Sequence, residues 1–277
     1  MSLGFSSLQR DNSRSNNAQF AALLHTISPG FLAIVVLLLA WEVGSQTGVI
    51  NPHFFPSMSA TFLELARLMQ TGDFWKALFD TLRGWAAGLA IAAALAIPLG
   101  IVLGWSEVLY RAFRIPIEFM RPIPSVSLVP VALLIFGVGI ESKTFLAAFA
   151  AFWPLLVQTI YGVKDTNPVA LDTARCFGLS SLQRMIHVML PSALPYIVTG
   201  IRISSSVSLI LAVTAEVVIG APGLGREINV ARSSGDTTGM YAFIIAIGLT
   251  GWLLNTLTIW FERRALHWHA SQRRGEA

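Results

Sequence analysis

The chain has 277 residues, 54% of them hydrophobic and only 12% charged, with 19 Lys and Arg against 15 Asp and Glu for a net charge of +4. Soluble domains carry about 25% charged residues, so a chain with half that share cannot cover a water-facing surface, and a soluble globular protein is excluded. The apolar residues stand in long runs rather than at amphipathic spacing, which makes lipid the solvent. One cysteine, Cys176, excludes an intrachain disulfide framework and reads as a buried or bystander thiol.

Residues 1–26 are polar and read as a cytoplasmic tail. An apolar run follows at 27–50. Its core, Phe31 to Trp41, leads into Glu42-Val43-Gly44-Ser45-Gln46 with no small-x-small cleavage pattern, so it reads as a retained helix rather than a signal peptide. The stretch from Ser59 to Gln70 is amphipathic and is expected to lie in the membrane interface. Five further spans, each near the ~20 residues a bilayer needs, are expected at about 80–104, 122–140, 144–163, 193–219 and 240–261. Pro98, Pro124, Pro130 and Pro154 fall within them and are expected to kink helices where protein, not lipid, meets the freed carbonyls.

The composition and the spans predict an all-α integral membrane protein of about six transmembrane helices, with a transmembrane domain at 27–265 and a short cytoplasmic tail at 266–277. Twelve basic residues fall on the side of the N-terminus (among them Arg111, Arg114, Arg121, Lys164, Arg175 and Arg184), six on the other, and Arg202 near a boundary. The positive-inside rule then gives N-in, C-in. The basic balance is thereby topological, not a nucleic-acid footprint.

The cytoplasmic loop 164–191 is not a plain connector. Asn167-Pro168 is an N-cap followed by proline at the first helical position. Gly178 is a helix stop, and Ser180-Ser181-Leu182-Gln183 is a capping box that starts a second helix, expected to end near Pro191.

Other signals are weaker. Gly137 to Thr144 (GVGIESKT) is one residue short of a P-loop, because Ser142 stands where glycine is needed, and no strand precedes it. His267-Trp268-His269 just past the last span reads as an interfacial anchor rather than a metal site. No acid pair stands at catalytic spacing, so a membrane enzyme is not supported. Glu42 and Glu216 are the carboxylates inside spans, and intramembrane acids face a bundle interior or water. Gly200, Ser204, Ser208, Ala212 and Glu216 recur every four residues, a stripe that either lines a translocation path or packs helices closely. Arg202, Ser204, Ser208 and Glu216 are thus candidate path or gate residues, and Arg202 is placed to meet phosphates or partner acids. Gly84-x-x-x-Gly88 and Gly100-x-x-x-Gly104 read as helix-packing pairs.

The loop resembles the pattern E-A-A, three residues, Gly, nine residues, I-x-L-P found in permeases of binding-protein-dependent ABC importers. Here it reads Asp172-Thr173-Ala174, Gly178, Val188-Met189-Leu190-Pro191: every interval matches, with Asp for Glu, Thr for Ala and Val for Ile. Phe55-Pro56-Ser57, Arg121-Pro122-Ile123-Pro124, Phe136-Gly137-Val138-Gly139, Leu194-Pro195 with Gly200-Ile201-Arg202, and Ala215-Glu216 with Gly223-Leu224-Gly225 resemble the aliphatic-sulfonate, taurine and nitrate branch.

The resemblance implies a coupling helix, carried by Asp172, Thr173, Ala174, Arg175, Gly178, Leu190 and Pro191, that docks on an ATPase subunit. Ala170 and Ala174 would allow close approach, and Asp172 and Arg175 would pair with the partner. It also implies a homodimer, two cytoplasmic ATPases that bind ATP and Mg, an extracytoplasmic solute-binding protein, and no cofactor in this chain. The solute would be a small oxyanion or another small solute served by the same family. An autonomous secondary transporter is the alternative, but no internal repeat of the kind such proteins carry stands out.

The topology is testable. Gln70→Cys and Val230→Cys should be labelled from outside intact cells by an impermeant maleimide, and native Cys176 only after permeabilisation; the reverse pattern overturns the N-in assignment.

Overall fold

The computed structural model describes residues 29–266. The polar N-terminal tail, the histidine pair around Trp268 and the rest of the C-terminal tail lie outside the described residues. Every regular element among the described residues is helical, as expected for backbone that must satisfy its own hydrogen bonds in lipid.

The chain divides into two compact units, residues 1–63 and 64–277. In the first, α1 (Pro29–Gln46) is followed by a turn that folds back on the helix. Trp41 Nε1 donates to Pro56 O at 2.9 Å and Ser45 Oγ to Phe55 O at 2.9 Å. Glu42, expected inside a span, accepts from the backbone N–H and hydroxyl of Ser59 at 3.0 and 2.7 Å, and from Gln46. It anchors the start of α2 (Met58–Leu68), the helix expected at the interface.

In the second unit, α3 (Gly72–Trp105) is 34 residues long, capped by Thr71. At 1.5 Å per residue it is about 51 Å long, well beyond a ~30 Å hydrocarbon core, so it starts a full two turns before the expected residue 80. Ser106 closes α3 and, through its side chain, opens α4 (Glu107–Met120). A 3-10 turn (Ser125–Leu128) and α5 (Val129–Phe136) follow. Then come α6 (Ile140–Lys164), α7 (Pro168–Cys176), the short α8 (Ser181–Arg184), a π turn (Met185–Met189), α9 (Leu190–Ile219), α10 (Leu224–Ser233) and α11 (Thr237–Ala265).

Four helical runs, α3, α6, the run containing α9, and α11, are long and apolar enough to cross a membrane; α4 with the 3-10 turn and α5 adds a fifth only as a pair bent by 82°. The straight span expected at 122–140 is therefore not there. Arg121-Pro122-Ile123-Pro124 ends α4, since proline removes an N–H and biases its predecessor away from helix, and Pro124 is extended (φ −61°, ψ 115°). Pro124 and Pro130 flank this break rather than kink a helix, whereas Pro98 and Pro154 do sit inside α3 and α6. A second correction concerns Pro191, which ends no helix: α8, the π turn and α9 run on without interruption. The π turn absorbs the register shift as the helix enters the proline-bearing stretch.

α3 and α6 meet along a seam of small residues. Gly84, Gly88, Ala92, Ala96 and Gly100 recur every four residues on α3 and all are buried. A Cβ added at Gly88 would stand 2.6 Å from Ala147 Cβ, and one at Gly100 2.6 Å from Thr159 Cβ. Without a hydrophobic drive between helices in lipid, such close backbone approach is what holds them together. Gly100→Val should therefore lower stability by about 1–3 kcal/mol, the cost of overpacking a tight contact. Gly248→Ala on α11, where no atom lies within 4 Å, should leave the melting temperature of the detergent-solubilised protein unchanged or raise it.

Candidate functional site: a buried ion pair and a capped loop

Glu216, at the end of α9, and Lys143, in the first turn of α6, are both 0% exposed and form an ion pair at 2.9 Å. Lys143 spends all three of its protons: one on Glu216, one on Asp80 O at 2.7 Å, one on Pro222 O at 2.6 Å. The other carboxylate oxygen of Glu216 accepts from the Thr81 hydroxyl at 3.0 Å and from the Gly225 N–H at 2.9 Å, while Thr81 Oγ1 accepts from the Leu224 N–H at 2.9 Å.

Glycines make the room. A Cβ at Gly84 would collide with the Lys143 stem, and one at Gly223 (φ 149°) with the Glu216 carboxylate. The carboxylate also lies at the N-terminus of α10, where the helix dipole favours negative charge. One charge pair thus ties together α3, α6, α9, the loop before α10 and α10 itself. Burial of a charge in low dielectric is sustained only by such complete pairing.

Glu216 was visible in the sequence as an acid inside a span, and Gly223-Leu224-Gly225 as a motif. Lys143 is not singled out by the sequence, where it stands inside the imperfect P-loop pattern of Gly137 to Thr144. The available signal was that an intramembrane acid needs a partner, and that Lys143 is the one basic residue of α6 before Lys164.

The other stripe residues face the same chain. Ser204 Oγ donates to Ala151 O at 2.7 Å and Ser208 Oγ to Trp85 O at 3.2 Å, both buried; Trp85 Nε1 returns a bond to Ser205 O at 3.0 Å. Arg202 lies 3.0 Å from Glu262 of α11, an acid of its own chain rather than a phosphate.

At the other end of α6, about 31 Å from Lys143 along the helix, lies the loop 164–191. Asn167 caps α7 by accepting from the Val169 N–H at 2.9 Å. Gly178 turns the chain in the left-handed region at φ 77°. Ser180 and Gln183 form the reciprocal capping box at 2.8 and 3.3 Å.

Two expectations for the loop change. Ala174 is buried within the chain while Ala170 is exposed, so only Ala170 is open to a partner. Asp172 and Arg175 pair with each other at 2.8 Å. Val169, Phe177 and Leu182 stand exposed, and Cys176 is exposed, not buried. Leu190 and Pro191 open α9.

Residues 96–265 match the family described as binding-protein-dependent transport system inner membrane component. The taurine transport system permease protein of Escherichia coli (strain K12) is 31% identical over 88% of this chain and 90% of its own length. A putative aliphatic sulfonates transport permease protein of Bacillus subtilis (strain 168) is 28% identical over 87% of this chain and 88% of its own. The nitrate import permease protein of Leptolyngbya laminosa is 32% identical over 70% of each. Among solved structures, an inward-facing MetNI methionine ABC transporter matches with a TM-score of 0.61 at 18% identity, over 69% of this chain and 95% of that one. A bacterial ABC transporter for the acidic polysaccharide alginate matches with a TM-score of 0.57 at 15% identity, over 94% and 99%. At these identities the structures speak for the fold alone.

Lys143→Met leaves Glu216 buried and unpaired and should destabilise the protein by about 3–5 kcal/mol. Lys143→Met combined with Glu216→Gln removes both charges and should recover more than half of that loss. Thermal unfolding of the purified variants in detergent measures both; a double variant no better than Lys143→Met alone would show that the pair is not coupled.

Proposed function

Because the chain belongs to the family of binding-protein-dependent transport system inner membrane components and is the permease subunit of an ABC importer, we propose that its solute is a small oxyanion such as an alkanesulfonate, taurine or nitrate. The observation that carries this is the set of relatives named for those solutes, which align with most of the chain. In this reading a solute-binding protein delivers the anion, two copies of the chain form the path, and two cytoplasmic ATPases supply ATP hydrolysis with their own bound ATP and Mg.

The loop 164–191 is the point of coupling. Its first helix is capped at both ends, so it holds its shape while presenting Val169, Phe177 and Leu182 to a partner. Asp172, Thr173, Ala174, Arg175 and Gly178 shape that surface, Asp172 and Arg175 as a self-paired charge couple and Ala174 as its inner packing contact. Through the unbroken run past Leu190 and Pro191, a push on the loop reaches α9 and its Glu216 at the far end. The ion pair with Lys143 is the outer latch: alternating access requires one end of the bundle to hold while the other opens. Ser204 and Ser208 pack α9 as part of this moving body, and Arg202 with Glu262 joins it to α11.

Reconstitution with the binding protein and the ATPases tests the reading: ATP-driven uptake of taurine, methanesulfonate or nitrate is expected, and uptake only of solutes that lack an oxyanion group would overturn it. In the same assay Gly178→Leu should cut uptake about tenfold or more, since a left-handed backbone costs an L-residue about 1–2 kcal/mol and refolds the turn. Its level in the membrane should stay near that of the parent.

A further inference from the structure

A cavity of about 390 Å3 opens where α4 ends, lined by Arg121, Ser125, Trp153, Gln158, Tyr161 and Val207 among others. It is set at membrane depth by the broken helix. Lys164 pairs with Glu107 at 2.8 Å and lies over the Tyr110 ring, which fixes the start of α4 beside the end of α6. From there α4 runs back along α6, and Tyr110, Arg114, Ile117 and Arg121 flank Val157, Ile160 and Tyr161. Arg121, expected with the cytoplasmic basic residues, therefore lies beside the middle of α6. Irregular backbone at such depth is tolerated where it is buried in protein or lines a water-filled cavity, and broken helices are a common way of building solute sites in membranes.

Two groups in the lining are donors without a protein partner. Trp153 Nε1 is buried and has no hydrogen-bond partner among the described residues. Its ring stands edge-on against Phe152 at 5.0 Å and against Phe149 at 5.8 Å. Arg121 is the one charged side chain in the lining and forms no ion pair or hydrogen bond with the described residues. The acid nearest along α4, Glu118, is held by Arg114 at 2.7 Å and, with Arg121, lines the neighbouring cavity against α6.

An indole N–H and a guanidinium are donors only. Whatever satisfies both must offer acceptors and negative charge, and a guanidinium fork fits the paired oxygens of an oxyanion better than a point charge does. Val207 and Ile203 give the opposite wall an apolar surface suited to a short alkyl chain.

We propose that this cavity is an oxyanion subsite on the translocation path, in which Arg121 and Trp153 Nε1 select the anionic group of the solute. The proposal rests on the oxyanion reading of the importer and names the residues that would carry it. The test uses the full complex in nanodiscs and in proteoliposomes. In a Cys176→Ser background, taurine, methanesulfonate or nitrate should slow iodoacetamide modification of the Ser125→Cys thiol several-fold, and glycerol should not.

In uptake, Arg121→Gln should raise KM for the anion by about 10–100-fold and Trp153→Phe, which keeps the ring but not the N–H, by about 3–10-fold, the range for losing a charge-assisted and a neutral hydrogen bond. Absent protection, or both variants importing at the parental KM, overturns the subsite while parental uptake of the anions leaves the import reading standing. Protection without any parental uptake does the reverse.

Discussion

The buried pair of Lys143 and Glu216 constrains more of this protein than any other contact. A lysine and a glutamate that both have no exposure must satisfy every proton and lone pair within the protein, because each unsatisfied charge in a low-dielectric interior is strongly destabilising. That requirement dictates the surroundings. The Asp80 and Pro222 carbonyls, the Thr81 hydroxyl and the Gly225 N–H must converge on one point. Gly84 and Gly223 must lack side chains so that α3 and the loop before α10 can come close enough. The pair therefore sets the height at which α3, α6 and α9 are held against one another.

From that fixed end the rest of the second unit follows as helix packing. The four-residue repeat of Gly and Ala on α3 continues the close approach to α6 that Gly84 begins, and the hydroxyls of Ser204 and Ser208 fasten α9 to α6 and α3 by carbonyl contacts. These are packing devices suited to lipid, where small residues and interhelical hydrogen bonds replace the hydrophobic drive. At the opposite end the second capped helix of the loop, beyond the turn at Gly178, leads through the π turn into α9 without a break. A continuous helix from α8 to α9 thus joins the loop at one end of the bundle to the buried charge pair at the other.

Among the described residues the broken α4–α5 pair is where the bundle departs from straight spans. Two prolines spaced by one residue make the break, and beside it Arg121 and Trp153, whose indole N–H has no protein partner, line the same cavity. A helix that crossed the bilayer straight would have carried Arg121 to one face. The bend keeps it at depth beside α6.

Much of this was determined locally and so was legible in the sequence. The lipid-solvated class, the long apolar runs, the amphipathic helix beginning near Ser59, the N-cap at Asn167, the left-handed glycine at 178 and the capping box at Ser180 each depend on residues a few positions apart, and local hydrogen bonds and sterics suffice to fix them. The family pattern of the loop is likewise a matter of spacing along the chain.

What tertiary structure alone decided are the encounters between distant residues. Lys143 and Glu216 are separated by 73 positions and Leu224 and Thr81 by 143, and no periodicity announces such a meeting. Ala174 turns inward and Asp172 pairs with Arg175 because the fold of the loop offers those partners. The expected span at 122–140 became a bend because the restriction on residues preceding proline, a local preference, was backed by the fit of α4 along α6. Hydropathy measures how apolar a stretch is and carries no information about its direction. Direction is set by packing, and packing is a property of the whole bundle.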